Sequence, residues 1–351
     1  MDPVSSLRWI EKQHLGYYCR PSVGIFERVL KTCLPKGESM LIISDFGLPH
    51  QNIAAEISYA YYLAGQKLGL NPGMILQSQK TRGQEADRDV IKALEALPSN
   101  SLVVVNISDR LGSMGRLGKS FRSYCKAQHL PFISMPSLGY LDTQQVPHLL
   151  AAIDIDYKAL SQKHDSVKAD MDSANTIRIT TDAGTDAVFD VEGVISRKAD
   201  GLYGGSRLGG NLPAGEVYLA PRNAEGRIVV DASSRNRHST RLTGDEPIVL
   251  EIRNGSVVRV SGGKNAEILE RSLLWAEKQA VYPDRVRRVA ELGIGLNPRA
   301  KVIGSTILDE KAAGTAHIAI GSNHWFGGDN STIIHLDQVF FKPEIEFLER
   351  M

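Results

Sequence analysis

The sequence predicts an α/β protein with an N-terminal open, mostly parallel sheet, followed by a β-rich α+β domain. Over about residues 36–150, apolar strand-like runs alternate with helical segments, which is typical of βαβ units. From residue 175 onward, short runs rich in β-branched residues recur with turn signals between them. We therefore predict two domains, residues 1–165 and residues 166–351.

The N-terminal domain begins with helical spacing over residues 1–36, as in GIFERVLKTCL. The alternation that follows reads MLIISD, NIAAEISYAYYLAGQKLG, PGMILQSQ, EADRDVIKALEAL, SLVVVNIS, GKSFRSYCKAQ and PFISMPS. Such strands form parallel sheets covered by helices on both faces. The first strand is not followed by GxGxxG, and the glycine-rich GSMGRLGKS lacks the spacing of a phosphate loop, so we predict no nucleotide site here.

The second domain is expected to start within a long helical pattern over residues 146–174. Its strand candidates are NTIRITTD, AVFDVEG, GEVYLAP, GRIVVDAS and IVLEIRNGSVVRVSGG. Asn254 and Gly255 lie between two alternating runs and predict a hairpin turn. Two helices are expected here, AEILERSLLWAEKQA and RVRRVAELGIGL, the second of which carries Glu291 near its end.

Composition excludes several classes of protein. The 41 basic and 40 acidic residues nearly cancel, so the total charge indicates neither a nucleic-acid nor an anionic membrane partner. Three widely spaced cysteines form no disulfide or metal pattern, which favours a reducing compartment. The sequence shows neither a secretory leader nor an apolar run of about 20 residues. We expect a soluble cytoplasmic protein.

The densest group of potential ligands lies in GTAHIAIGSNHWFGGDNSTIIHLD, residues 314–337. If IIHLDQVFF is a strand, His335 and Asp337 leave the same face and can bind one ion. His317, in the alternating run TAHIAIG, can approach from a neighbouring strand. Histidines with only a structural role are the alternative.

Two glutamates upstream have apolar, glycine-rich surroundings. Glu216 follows a turn marked by Pro213 and Gly215, and Glu291 lies in AELGIGLNP. A buried carboxylate needs a cation, because an unpaired buried charge is costly. That cation can be a metal ion or one of the arginines nearby in sequence, Arg207, Arg222 and Arg299.

Five candidate ligands result, namely Glu216, Glu291, His317, His335 and Asp337. Mixed oxygen and nitrogen ligation suits zinc, cobalt or manganese, and five ligands exceed what one tetrahedral ion uses. We therefore predict two divalent ions with one carboxylate as a bridge. Such a pair lowers the pKa of a shared water and supports amide hydrolysis.

NLPAGEVYLAP, ELGIGLNP, DEKAAGTAHIAIG and HLD resemble, in this order, the sequence blocks of the aminopeptidase T and aminopeptidase S family of dinuclear metallopeptidases. The resemblance covers about residues 175–340. It implies that the five candidates are metal ligands, with Glu291 bridging and catalytic. It also implies a homodimer that removes N-terminal residues from small peptides or cleaves a related amide.

One position departs from the family pattern. Seven residues after His317, where the family has a tyrosine, this chain has His324. We predict that His324 is catalytic, as a ligand or as a proton donor, because histidine is a residue type suited to acid/base catalysis. Exposure in the loop NHWFGGDN is the structural alternative. The neighbouring Trp325 and Phe326 either line a substrate pocket or anchor the loop.

Two other functions remain open. In the first, one iron is held by His317 or His324 together with His335 and Asp337, in a ring-cleaving dioxygenase of the 2,5-dihydroxypyridine dioxygenase-like type. This function leaves Glu216 and Glu291 without a role. In the second, the chain is a non-catalytic binding protein on the same fold.

Overall fold

The computed structural model describes residues 1–48, 51–99, 101–118, 120–204, 207–236, 238–242 and 246–349. Its chain forms two compact units, one of Met1–Tyr157 with Gly201–Pro213 and the other of Lys158–Asp200 with Ala214–Met351. The predicted division after residue 165 stays a prediction. In the structure the chain enters the second unit within a helix and returns once to the first.

The elements of the chain up to residue 173 are α1 Pro3–Lys12, α2 Leu15–Cys19, α3 Val23–Cys33, β1 Ser39–Asp45, α4 Ile53–Lys67, β2 Asn71–Gln77, α5 Arg88–Glu95, β3 Ser101–Asn106, α6 Phe121–Ala127, β4 Phe132–Met135, α7 Val146–Ile153 and α8 Tyr157–Ser173. The strands that follow are β5 Thr176–Thr180, β6 Asp186–Asp190, β7 Arg197–Ala199, β8 Gly209–Asn211, β9 Glu216–Leu219, β10 Asn223–Val230, β11 Ser233–Arg235, β12 Ser239–Arg241, β13 Ile248–Arg253 and β14 Ser256–Gly262. The last elements are α9 Lys264–Gln279, β15 Val289–Gly295, α10 Thr306–Asp309, β16 Thr315–Gly321, β17 His335–Phe341 and β18 Glu344–Leu348.

The first unit contains a five-stranded parallel sheet in the order β2-β1-β3-β4-β8. Its central strand β3 is buried along its whole length, as expected of a strand covered on both faces. This confirms the predicted open parallel sheet. The edge strand β8 was missed, because its glycine-rich sequence has low strand propensity. A Cβ atom at Gly209 would lie 2.4 Å from Phe132 on β4, so only glycine lets β8 pair this closely with β4.

The second unit contains two antiparallel sheets. Six strands form one, in the order β14-β13-β10-β6-β5-β18, and seven form the other, in the order β12-β11-β17-β16-β15-β9-β7. The predicted β-rich α+β domain is thereby confirmed. The hairpin turn is also confirmed, because Asn254 and Gly255 join β13 to β14 with φ angles of 49° and 69°.

Two helix predictions were wrong in detail. The long pattern over residues 146–174 is interrupted between α7 and α8. RVRRVAELGIGL was predicted as a helix, but Glu291 lies in the middle of β15. Pairing with β9 and β16 on both sides outweighs the helical spacing of this short run. Among the described residues, none of the helices is long and apolar enough to cross a membrane.

Candidate metal centre

Four neighbouring strands of the seven-stranded sheet, β17, β16, β15 and β9, carry the five candidate ligands. In the register of these strands, Glu291 and Asp337 both pair with Ala319, so the three residues form a row across β15, β16 and β17. Alternate residues of a strand share a face, which places His335 beside Asp337 and His317 beside Ala319. Strand pairing thus gathers ligands that are up to 121 residues apart in sequence.

Small residues surround these ligands on the same sheet. His317 pairs with Gly293, Glu216 pairs with Gly295, and His335 pairs with Gly321. A Cβ atom on Gly293 would lie 2.2 Å from Cε1 of His317, so the imidazole lies directly over the glycine backbone. Glycine here leaves the space that the ligand ring occupies.

The ligand atoms converge on Glu291. Its Oε1 lies 3.4 Å from Nε2 of His317, and its Oε2 lies 3.4 Å from Nε2 of His335. Nε2 of His335 is also 3.1 Å from Oδ1 of Asp337, and Nε2 of His317 is 3.7 Å from Oε2 of Glu216. Glu216, Glu291 and His317 offer ligand atoms that lie within 4.8 Å of one another. The structure therefore brings all five predicted metal ligands into one buried cluster.

The sequence LDEKAAGT predicts a surface ion pair for Lys311, with binding of a substrate carboxylate as the alternative, but this lysine is buried and belongs to the cluster. Nζ of Lys311 donates a hydrogen bond to Oε1 of Glu216 at 2.6 Å and a second to Oε1 of Glu310. Lys311 is buried. Its backbone N–H donates to the carbonyl of Leu308, and its own carbonyl accepts from the N–H of Asn297. The signal that could have found it is the DEK sequence just before the histidine strand.

Two contacts orient ligand side chains from outside the cluster. Nδ1 of His335 lies 2.8 Å from the carbonyl oxygen of Ser322, which places the proton on Nδ1 and leaves Nε2 free to face the carboxylates. Arg235 donates from Nη1 to Oδ2 of Asp337 at 3.2 Å. Both contacts are of the kind that surrounds ligands in known metal sites.

The charges in the cluster act strongly on one another. Burial lowers the pKa of His317, but the hydrogen bond and charge of Glu291 outweigh it and raise this pKa to about 9. Burial also lowers the pKa of His335, and Asp337 raises it to about 9. Burial lowers the pKa of Lys311, but the charges of Glu216 and Glu310 hold it well above its usual range. The cluster therefore attracts cations, which is the electrostatic requirement for a metal centre.

His324 is placed differently from the other predicted site residues. It lies in an exposed turn after β16, where its ring packs edge-on against Trp325 at 5.1 Å. Trp325 in turn contacts the ring of His335 at 5.0 Å. The catalytic role predicted for His324 stays a prediction, and the structure does not bring this residue into the buried cluster.

This cluster is a candidate metal centre on an antiparallel sheet, in a chain that also contains a parallel α/β unit. A family model described as NicX, 2,5-dihydroxypyridine 5,6-dioxygenase, matches residues 145–347, more than half of the chain. The chain therefore belongs to the NicX family. Among curated proteins no match was found.

Two solved structures share the fold over nearly the whole chain. The first is 2,5-dihydroxypyridine dioxygenase from Pseudomonas putida KT2440, with a TM-score of 0.69 and 18% identity over 93% of each chain. The second is wild-type AmpT from Thermus thermophilus, with a TM-score of 0.62 and 18% identity over 94% of this chain and 95% of that chain. At this level of identity the likeness establishes the fold alone.

These findings correct the main functional prediction. The resemblance to aminopeptidases is confirmed at the level of the fold, because AmpT shares it. The predicted hydrolase and protease function is wrong, because the family whose model matches is one of dioxygenases. The motif blocks that suggested a peptidase encode strands of a fold that both solved structures share.

Proposed function

We propose that the protein is an iron-dependent ring-cleaving dioxygenase that opens a hydroxylated pyridine or a closely related aromatic ring. His317, His335 and Asp337 are the residues that would hold the iron. The family match supports the reaction type. The observation that carries the proposal for this chain is that Nε2 of His335 lies 3.1 Å from Oδ1 of Asp337, while the Glu291 carboxylate lies 3.4 Å from Nε2 of both His335 and His317.

The residues fit an iron ion. Two histidines with one carboxylate form the set that non-haem ferrous oxygenases use, because it leaves coordination positions open. Ligands about 2.1 Å from an ion and at right angles to each other lie about 3 Å apart. Nε2 of His335 and Oδ1 of Asp337 are 3.1 Å apart, close to this value. Glu291 lies 3.4 Å from each Nε2 and adds a second carboxylate oxygen to the set.

The chain's own residues orient and charge this centre. When bound, ferrous iron would supply the one-electron chemistry that dioxygen requires. The Ser322 carbonyl keeps the Nδ1 proton of His335 away from the centre, and Arg235 holds the far oxygen of Asp337. Cleavage of one ring carbon–carbon bond with both atoms of O₂ entering the product needs no outside reductant, so the substrate and O₂ suffice.

We propose one ion rather than the two that the ligand count predicted. One oxygen of the Glu216 carboxylate accepts a hydrogen bond from the ammonium group of Lys311. A second metal ion would need this carboxylate, but the buried lysine already neutralises its charge. Lys311 and Glu310 are also paired with each other. The number of ions and their identity are open to direct measurement by elemental analysis of the purified protein.

The experiment that tests this proposal is oxygen uptake by protein loaded with Fe(II) under argon. We expect O₂ consumption with 2,5-dihydroxypyridine or a related hydroxylated ring, in a ratio of one O₂ per ring opened, together with loss of the aromatic absorption band. The proposal fails if iron-loaded, folded protein consumes no oxygen with any ring of a panel of mono- and dihydroxypyridines and benzenediols.

The predicted homodimer, the cytoplasmic location and the absence of nucleic-acid and membrane partners stay proposals. A homodimer would present two metal centres for each particle. Light scattering coupled to size-exclusion chromatography measures the particle mass directly and separates one chain of 38.5 kDa from a pair.

A further inference from the structure

The metal cluster is closed on most sides. The side chains of Glu216, Glu291, His317 and Asp337 are at most one-tenth exposed. The His335 side chain, by contrast, is 21% exposed. Among these five ligands, the ring of His335 is therefore the part of the cluster that solvent and small molecules can reach most readily.

The loop of residues 322–334, which connects β16 to β17, passes beside this ring and is firmly held. Asn323 donates to the carbonyl of Ala290 at 3.1 Å and accepts from the N–H of Asn330 at 2.8 Å. Asn330 donates to the carbonyls of Gly321 and Arg285. These side-chain bonds to the backbone of β15, of β16 and of the turn at Arg285 fasten the loop to the sheet, so its aromatic residues lie beside His335 before any ligand arrives.

Trp325 is the exposed aromatic residue of this loop. Its ring meets the His335 ring at 5.0 Å with an interplanar angle of 62°, and the Phe326 ring at 5.5 Å. Phe326 itself is buried and packs edge-on against Tyr218 at 5.4 Å. Trp325 therefore contacts the rings of His335 and Phe326, besides that of His324, while 55% of the residue stays exposed.

We propose that Trp325 is the platform on which the substrate ring stacks as it enters the metal centre at His335. The proposal rests on the aromatic substrate of the proposed function. A rigidly held indole face beside the most open ligand offers a planar ring a large apolar contact without loss of side-chain freedom. Because the platform recognises the flat ring and not its substituents, it selects for aromatic over saturated ligands.

The test measures binding of 2,5-dihydroxypyridine to iron-loaded protein under argon, where no turnover occurs, by calorimetry and by tryptophan fluorescence. We expect Trp325→Leu to raise Kd about tenfold, which is the loss of roughly 1.4 kcal/mol. We expect Trp325→Phe to stay within about threefold of wild type, because it keeps an aromatic face. Wild-type fluorescence should be quenched on binding, and this change should be lost in Trp325→Phe.

Trp275 provides a matched control. It is 52% exposed, nearly as much as Trp325, and lies on the surface of α9. Trp275→Phe should bind with the wild-type Kd and keep the quenching. Trp325→Ala is the second variant in case the leucine variant does not fold, and it should show the same loss of affinity.

Two contrary results have different meanings. If the leucine, alanine and wild-type proteins bind the ring with equal Kd, the platform is overturned and the dioxygenase proposal stands. If wild-type, iron-loaded protein binds none of the hydroxylated rings, both are overturned.

Discussion

Buried carboxylates occur in both units of the chain, but different groups stabilise them. In the first unit, Asp45 ends β1 and accepts hydrogen bonds from the N–H of Gly47 and from both the N–H and the hydroxyl of Ser108. In the second unit, Glu291 lies inside a sheet and is faced by the imidazoles of His317 and His335. The first arrangement is complete without an ion, whereas the second places carboxylate and imidazole ligand atoms together.

Position in the sheet explains this difference. At the carboxyl end of a parallel strand, the loops present backbone N–H groups that form no hydrogen bonds within the sheet. These groups can donate hydrogen bonds to an aspartate carboxylate. In the middle of an antiparallel sheet, the ladder uses the backbone groups of each strand, so a carboxylate there depends on side chains or on an ion. A carboxylate-rich patch within a sheet is therefore stronger evidence of a cation site than a buried aspartate at a strand end.

The largest effect is expected from removing a ligand. His335→Ala should weaken Fe(II) binding by more than about 100-fold and abolish oxygen uptake, because it takes away the imidazole shared by Glu291 and Asp337. Iron content after dialysis against a weak chelator measures this. His324→Ala is the comparison, and we expect wild-type iron content because His324 is exposed. Equal loss in both variants would place His324 in the centre after all.

The second prediction concerns the number of ions. Lys311→Met removes the buried ammonium from between Glu216 and Glu310, leaving a buried and a partly buried carboxylate without their cation. We expect a second divalent ion to bind in this variant, so that the metal content rises from one to two per chain. Lys311→Arg keeps the charge and should keep one ion. If the wild-type protein bound two ions per chain, Lys311 would not be what prevents binding of a second metal ion.

The third prediction concerns Asp45 of the first unit, whose carboxylate is stabilised by hydrogen bonds without an ion. Asp45→Ala leaves the N–H groups of Gly47 and Ser108 and the Ser108 hydroxyl without their acceptor, which should lower the free energy of unfolding by about 3 kcal/mol. Urea unfolding measures this loss. Metal content should be unchanged, and Asp45→Asn, which keeps one acceptor oxygen, should be less destabilised. A loss of metal in either variant would contradict the separation between the two kinds of site.

The smallest effect depends on pH and concerns Asp309, a buried carboxylate of the second unit that accepts hydrogen bonds from the N–H groups of Ile303 and Gly304. Burial raises its pKa from 3.8 to about 6. The folded protein then holds this proton more tightly than the unfolded chain, so the stability contributed by the protonated form is lost as pH rises from about 4 through about 6.

Asp309→Asn removes the cost of ionising this buried carboxyl group at neutral pH, while it keeps an oxygen that can accept hydrogen bonds. The variant should be more stable than wild type by about 2–3 kcal/mol at pH 7.5, and the difference should shrink towards zero near pH 4. Urea unfolding at a series of pH values measures the difference. A difference independent of pH would show that the carboxylate does not titrate as expected.

Much of the fold and most of the site could be predicted from local patterns. Alternating strands and helices predicted the parallel sheet, and Asn254 with Gly255 predicted a turn that the structure contains. The spacing of His335 and Asp337 was enough to place both on one face of a strand. These features depend on residues close together in sequence, which is why they can be read without a structure.

Other features depended on contacts between distant residues. Glu291 follows a helical pattern in sequence, but pairing with two neighbouring strands makes it part of β15. Lys311 resembled a surface ion-pair residue, and only the packing of its segment against β9 shows that it is buried beside Glu216. The solved structures of both kinds share one fold with this chain, so motif blocks that encode its strands did not distinguish the two functions.

The sequence by itself determined much of the order of the elements, the two kinds of sheet and the five candidate ligands. Tertiary structure decided which charges neutralise one another, because strand pairing brings Glu216, Glu291 and His317 together from positions far apart in the chain. It also separated the exposed His324 from the buried ligands. How deeply a side chain is buried and which charge it pairs with depend on residues that are distant in sequence. The sequence therefore determines both only by determining the fold.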